Sequence, residues 1–186
     1  IDFISGSSIG ALIGGIYAIN RDIKQLEEIA LSADYKTLVG LVDPTLNGGI
    51  IKGNKISEFL NQYIDNKNFE DTKIPFVVVA TNFKTGEPEI INEGKLVAAI
   101  RASISVPFVF QPVRKNGKFL VDGGMTMPVP IKAVKQIGAK SVIAVNLDAS
   151  YHQRDSKLNI AEISTESIRI MLHQLSKRDI LEADVV

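Results

Sequence analysis

Five residues near the amino end, Gly6-Ser7-Ser8-Ile9-Gly10, constrain this chain more than any other stretch. They lie between a short apolar run, Ile1 to Ile4, and a helix-like run, Ala11 to Ile19. A strand that turns sharply into a helix is a setting in which a serine hydroxyl becomes a nucleophile. The turn projects the serine from the sheet and aims the positive end of the helix at it. Such a turn strains the serine's own backbone, and a glycine on each side, Gly6 and Gly10, lets strand and helix approach closely around it. Gly-x-Ser-x-Gly arises by chance in roughly one chain in twenty of this length. The weight therefore rests on the strand-to-helix setting.

The rest of the chain supplies that setting. Ile9, Leu12, Ile13, Ile16 and Tyr17 recur at helical spacing and predict one buried stripe, with Gly14 and Gly15 permitting close packing. A second helix is expected over Ile23 to Ser32, with Ile23, Leu26, Ile29 and Ala30 facing inward, and a third from Asn54, marked by Ile56, Phe59, Leu60 and Tyr63. Between them, Lys36 to Ile51 holds Pro44, Asn47, Gly48 and Gly49 and reads as a loop near the site mouth. Pro75 to Thr81 is a continuous apolar run rich in β-branched residues, the pattern of a strand covered on both faces. A turn at Thr85-Gly86-Glu87-Pro88 leads to a short strand, Glu89 to Asn92, a helix, Leu96 to Ser103, and a strand, Phe119 to Val121. A helix from Ile131 to Ile137, a buried strand from Ser141 to Leu147 and a long helix from Ile160 complete the chain. This alternation predicts an α/β fold with three layers, α/β/α, and a mostly parallel central sheet, forming a single domain over residues 1–186. The chain opens inside a strand-like segment and stops at Ala183-Asp184-Val185-Val186, which reads as the start of another strand, so truncation at both ends is expected.

Composition removes several function classes. Lysine plus arginine equals aspartate plus glutamate at 21 each, without a basic cluster interleaved with aromatics, so nucleic acid is not an expected partner. The absence of cysteine excludes thiol catalysis, disulfides and cysteine-based metal sites. No apolar run reaches the roughly 18 residues of a membrane-spanning helix. A cytoplasmic location with transient contact at a membrane surface is the expectation.

A serine at an elbow needs a base. The histidines are His152, in the polar stretch Tyr151 to Asp155, and His173, between Leu172 and Gln174 on the last helix. A solvated loop accounts for the first and helix packing for the second. Asp122 fits better, because it follows a strand directly and precedes two glycines. Its carboxylate would emerge at a strand's carboxyl end, the edge where parallel α/β sheets build their sites. The competing role is that of a turn aspartate capping its own backbone.

Gly6 to Leu12, followed far downstream by Ala99-Ile100-Arg101-Ala102-Ser103, by Pro107 and by Val121-Asp122-Gly123-Gly124, resembles the patatin-like phospholipases, serine acyl hydrolases with a Ser-Asp dyad. Val78-Ala80-Thr81, Thr85-Gly86-Glu87 and Gly138-Ala139-Lys140 extend the resemblance over nearly the whole chain; Ser7 stands where that family most often has threonine. The resemblance implies Ser8 as nucleophile and Asp122 as general base, without a histidine, metal or other cofactor. It implies the Ile9 backbone N–H as an oxyanion donor, with Gly6, Gly10, Gly123 and Gly124 shaping the two motifs. The family carries a glycine-rich oxyanion loop before the nucleophile strand, and this chain begins after that point, so the polypeptide as given is expected to be a poor catalyst. The substrate would be a lipid or small ester, with Val106, Phe108, Val109, Phe110, Met125 and Met127 as candidate lining. Arg101 would meet a phosphate head group or a surface salt bridge, and Ser103 and Ser105 would pack or cap. The rival readings are an acyltransferase of related architecture, a histidine-dependent hydrolase using His173 or His152, and a non-catalytic ligand- or protein-binding domain.

Overall fold

The uninterrupted run at Phe76 forms the axis of a five-stranded sheet. Strand β1 (Ile4–Ser7) pairs parallel with β2 (Phe76–Asn82). Strands β3 (Pro88–Ile91) and β5 (Lys118–Val121) both pair antiparallel with β2, and β4 (Val113–Lys115) pairs antiparallel with β5. The computed structural model describes residues 1–32, 43, 51–150 and 159–186. The expected loop from Lys36 to Ile51, apart from Asp43 and Ile51, and His152 lie outside the described residues.

The expected α/β/α class holds, and the mostly parallel sheet is corrected to a mixed one, with one parallel and three antiparallel pairings among the named strands. For the β2–β3 and β4–β5 pairs the cause is connection length, since short turns join only antiparallel neighbours. β2 returns into β3 through a turn in which Gly86 N–H donates to the Asn82 carbonyl at 2.8 Å. β4 returns into β5 through Asn116-Gly117, both with positive φ (49° and 76°). Asn-Gly is a strong hairpin signal, and β4 escaped the sequence reading because its three residues carry little apolar pattern.

Every residue of β2 from Phe76 to Thr81 is buried, and alternate side chains feed two separate cores. Phe76, Val78 and Ala80 pack with Ala11, Ile16, Leu60, Leu96 and Ile100 from helices α1 (Ile9–Asn20), α3 (Asn54–Ile64) and α4 (Leu96–Ser103). Val77 and Val79 pack on the opposite face with Met127 and with Ala133 of α5 (Ile131–Gln136). A two-sided core is what turns a continuous apolar strand into the middle of three layers.

Two expected faces are rotated. On α1 the most buried positions are Ala11, Gly15, Ile16, Ala18 and Ile19, whereas Ile9 and Ile13 stay about half exposed (47% and 46%). The helix seats itself through its small residues: a Cβ on Gly15 would lie 2.5 Å from Ile100 Cδ1. On α2 (Ile23–Ser32) Leu26 and Ile29 reach the core, while Ile23 and Ala30 are exposed. The expected strand from Ser141 to Leu147 is reduced to one parallel bridge, Ile143 with Val185, with Val142 and Ala144 buried and Ile143 and Val145 exposed. The C-terminal helix, α6 (Ile160–Asp179), starts where expected.

Candidate active site

Strands β1 and β5 arrive at Ala80 from opposite directions along one edge of β2. Ser7 pairs with Val79 in the parallel ladder and Val121 with Thr81 in the antiparallel one. The next residue of each strand is therefore delivered to the same gap. Across that gap the Ser8 hydroxyl donates to Asp122 Oδ2 at 2.6 Å.

Ser8 has φ 52° and ψ −124°, a left-handed backbone that costs a residue with a side chain about 1–3 kcal/mol. Its hydroxyl makes no cap to α1, and the first turn of α1 holds no acidic residue. The hydroxyl is thus available to Asp122, and the positive field of the helix start is unopposed from within the helix. Contacts on both sides hold the strained peptide. The Ser8 carbonyl accepts from Ala11 N–H at 2.9 Å and Leu12 N–H at 3.3 Å. The Ser8 N–H donates to Ser103 Oγ at 2.9 Å, and that hydroxyl donates to the Val79 carbonyl at 2.6 Å. Gly6 is required by space, since a Cβ there would stand 2.5 Å from Ala11 Cα. Gly10 is not: nothing lies within 4 Å of the corresponding point, so the expected crowding at both glycines holds at Gly6 alone.

Asp122 is 5% exposed and fully engaged. Its N–H donates to the Ser105 carbonyl at 3.0 Å, and its carbonyl accepts from Thr81 Oγ1 at 2.8 Å. Oδ1 accepts from Gly124 N–H at 2.8 Å, leaving Oδ2 for Ser8. One carboxylate therefore fills both roles the sequence allowed, turn cap and partner of the serine. Burial pushes its pKa from the ordinary 3.8 up to about 6, against the opposing hydrogen bonds from Ser8 and Gly124. Gly123 lets this turn sit on β2, because a Cβ there would overlap the Val79 carbonyl oxygen and come within 2.7 Å of Ser7 Oγ.

The family model described as Patatin-like phospholipase matches residues 1–135. The chain belongs to the patatin-like phospholipase family. A protein of the NTE family from Mycobacterium tuberculosis (strain ATCC 25618 / H37Rv), itself uncharacterized, is 34% identical over 160 residues, covering 84% of this chain and 44% of that protein. Human patatin-like phospholipase domain-containing protein 6 is 26% identical over 154 residues, 79% of this chain and 11% of that protein. The chain thus spans less than half the length of these curated relatives. Membership supports lipid hydrolysis at the level of the family, which acts on lipid substrates.

In this patatin-like chain the remaining candidates separate into neighbours of the dyad and parts of the core. Ile9 opens α1 directly after Ser8, where first-turn N–H groups lack intrahelical partners. Phe108 and Val109 are exposed, at 68% and 40%. Val106, Phe110 and Met125 are half-buried. Met127 is core and not lining. Arg101 does not reach open solvent and makes no salt bridge among the described residues, though the Asp43 carboxylate acts on it through space. It is buried, donates to the Lys52 and Gly53 carbonyls and to Ser105 Oγ, and lies 5.0 Å from the Phe110 ring centre. His173 is buried on α6 with Nδ1 2.5 Å from the Asp148 carbonyl oxygen. A surface hollow of about 480 Å³ lined by Glu93, Lys95, Val113 and Arg114 includes neither Ser8 nor Asp122.

Sequence reasoning missed what Ser103 and Thr81 touch. A serine at a helix end ordinarily caps. Only strand register shows that α4 ends against the gap between β1 and β2.

Proposed function

We propose that this protein is a lipid acyl hydrolase that cleaves carboxylic esters through a covalent intermediate on Ser8, with Asp122 as general base. The supporting observation is the 2.6 Å hydrogen bond between a serine on a strained elbow and a buried carboxylate whose pKa is raised to about 6. A carboxylate at 3.8 is a feeble base for a hydroxyl, and raising it by about two units narrows that mismatch while keeping it ionised at neutral pH.

The reaction runs in two balanced steps. Asp122 Oδ2 takes the hydroxyl proton as Ser8 Oγ bonds to the ester carbonyl carbon, and the oxyanion forms against the start of α1, where the Ile9 N–H is the proposed donor. Collapse breaks the ester C–O bond, the leaving alcohol takes the proton from Asp122, and the acyl group stays on Ser8. Water then gives a proton to Asp122 and attacks the acyl carbonyl. Collapse frees the fatty acid and returns the proton to Ser8 Oγ. The acyl chain would approach past Ile9, Ile13, Phe108 and Val109, apolar side chains left at least 40% exposed near Ser8 and Ser105 in the chain. The same residues suit brief contact with a lipid surface from the cytoplasm; no helix among the described residues is long and apolar enough to cross a membrane.

Ser8→Ala and Asp122→Ala in the full-length protein should each abolish release of fatty acid from phospholipid and short-chain ester substrates. Turnover retained by either variant refutes the dyad.

A further inference from the structure

The parallel ladder between β1 and β2 contains a side chain where a backbone bond is due. It begins with Ile4 N–H donating to the Pro75 carbonyl at 3.0 Å. Parallel pairing repeats every two residues on each strand, so Gly6 N–H falls to Val77 and the next donor, Ser8 N–H, falls to the Val79 carbonyl. That last bond is replaced by a relay. Ser8 N–H donates to Ser103 Oγ at 2.9 Å, and Ser103 Oγ–H donates to the Val79 carbonyl at 2.6 Å. The intervening hydroxyl belongs to a fully buried residue, at 0% exposure, on the last turn of α4.

We propose that Ser103 is a positioning residue for the nucleophile: its hydroxyl wedges the end of β1 away from β2 and fixes Ser8 in the strained backbone that aims Oγ at Asp122. This rests on the dyad reading of Ser8 and Asp122. A direct Ser8–Val79 bond would carry β1 on as an ordinary strand, with Ser8 flat against the sheet. The wedge also occupies the Ser8 N–H, so the oxyanion donor must come from beyond it, at Ile9. Ser103 Oγ accepts one hydrogen bond and donates another, so no polar group of the relay itself is left unpaired. The hydroxyl must donate and accept together. Threonine can do both, cysteine does both weakly, and alanine does neither.

A residue that merely packed the core would change stability and leave chemistry per folded molecule intact. A positioning residue changes kcat and the environment of Asp122. The Ser8 hydroxyl is one of two hydrogen bonds holding the Asp122 pKa down against burial, the other being Gly124 N–H, and among the described residues no charged group contributes to that balance. Releasing Ser8 would therefore move the acid limb of the rate profile to higher pH.

The test uses the full-length protein with a water-soluble ester, reporting kcat, KM and the pH profile per folded molecule, with the folded fraction read by circular dichroism. Ser103→Ala should lower kcat by about a hundredfold, as expected for a misdirected general-base contact, with KM changed by less than about threefold and the acid limb shifted alkaline. Ser103→Thr should restore most of kcat and the original limb. Should Ser103→Ala not fold, Ser103→Cys, of similar volume, is expected to show the same split between kcat and KM. Wild-type kcat in a folded Ala or Cys variant, or an acid limb that does not move, overturns the proposal. If Ser8→Ala loses activity in the same assays, the dyad reading survives that result; if Ser8→Ala remains active, the dyad reading itself has failed.

Discussion

Asp122 should govern the acid side of the pH profile. Its carboxylate acts as a base only when ionised, and its pKa is raised to about 6. Below that value kcat/KM should fall about tenfold per pH unit, so that roughly a tenth of the plateau remains at pH 5. The same shift carries a stability consequence. A carboxyl with a higher pKa folded than unfolded binds its proton more tightly in the folded protein, so its charge costs stability above pH 6. That cost is relieved as pH falls from 6 toward 3.8. Two units or slightly more correspond to about 3 kcal/mol, an upper bound for a group that is 5% exposed. Asp122→Asn removes the buried charge and keeps the shape; its amide can still accept from Gly124 N–H and face Ser8 Oγ. At pH 8 that variant should be inactive yet more resistant to urea than the wild type by about 1–3 kcal/mol, with the difference shrinking toward pH 4. Activity is read as initial rates on an uncharged ester, stability as paired urea titrations at several pH values. An acid limb centred near 4, or an Asp122→Asn variant no more stable than wild type at pH 8, would show that burial does not raise this carboxyl.

Other substitutions test the surrounding claims. His173→Ala should keep kcat within about threefold, because the proposed base is Asp122, and lose about 1–2 kcal/mol with the contact to the Asp148 carbonyl; a thousandfold loss of kcat would restore a histidine-dependent mechanism. Gly123→Ala places a methyl against the Val79 carbonyl and Ser7 Oγ and should cost about 1–3 kcal/mol together with most of the activity. Gly10→Ala, with open space at its Cβ, should be tolerated or stabilise by up to about 1 kcal/mol, and equal damage at both glycines contradicts the packing described. Met127→Ala should lower stability by about 2–5 kcal/mol through a cavity under β2 while leaving kcat per folded molecule unchanged. Ser7 Oγ is buried without a hydrogen-bond partner among the described residues, so Ser7→Ala should leave stability, read by thermal denaturation, unchanged or raised.

The elbow and its partner were legible in the sequence because both are local patterns. A glycine-flanked serine between strand and helix, and an aspartate closing a strand before two glycines, can each be read within a few residues. The helices at Ile23–Ser32 and Leu96–Ser103 were legible for the same reason: their apolar spacing declares a period. What the sequence hid depends on residues far apart. Ser8 and Asp122 meet because β1 and β5 share one edge of β2 and end at Ala80, a fact of register across 114 residues. Ser103 is 95 residues from the peptide it holds. The antiparallel β2–β3 and β4–β5 pairings were missed because alternating strands and helices suggest crossovers, while the turns at Gly86 and Asn116-Gly117 fold the chain straight back. Arg101 reads as a surface charge from its position on a helix, yet α4 is buried on nearly every side and its last turn faces the carbonyls before α3. Ile16 and Leu12 of the expected stripe reach the core, while Ile9 and Ile13 stay exposed because α1 approaches the sheet through alanine and glycine, which a hydrophobicity pattern undercounts.

The central claim is a covalent acyl group on Ser8, and rapid-quench mass spectrometry of the full-length protein tests it most directly. Mixed with an ester whose acyl-enzyme turns over slowly, the protein should gain one acyl mass per molecule within the first turnover. Digestion should place that mass on the peptide containing Ser8, and neither Ser8→Ala nor Asp122→Ala should acquire it. Steady hydrolysis with no such adduct, or an adduct on any other residue, would contradict the account.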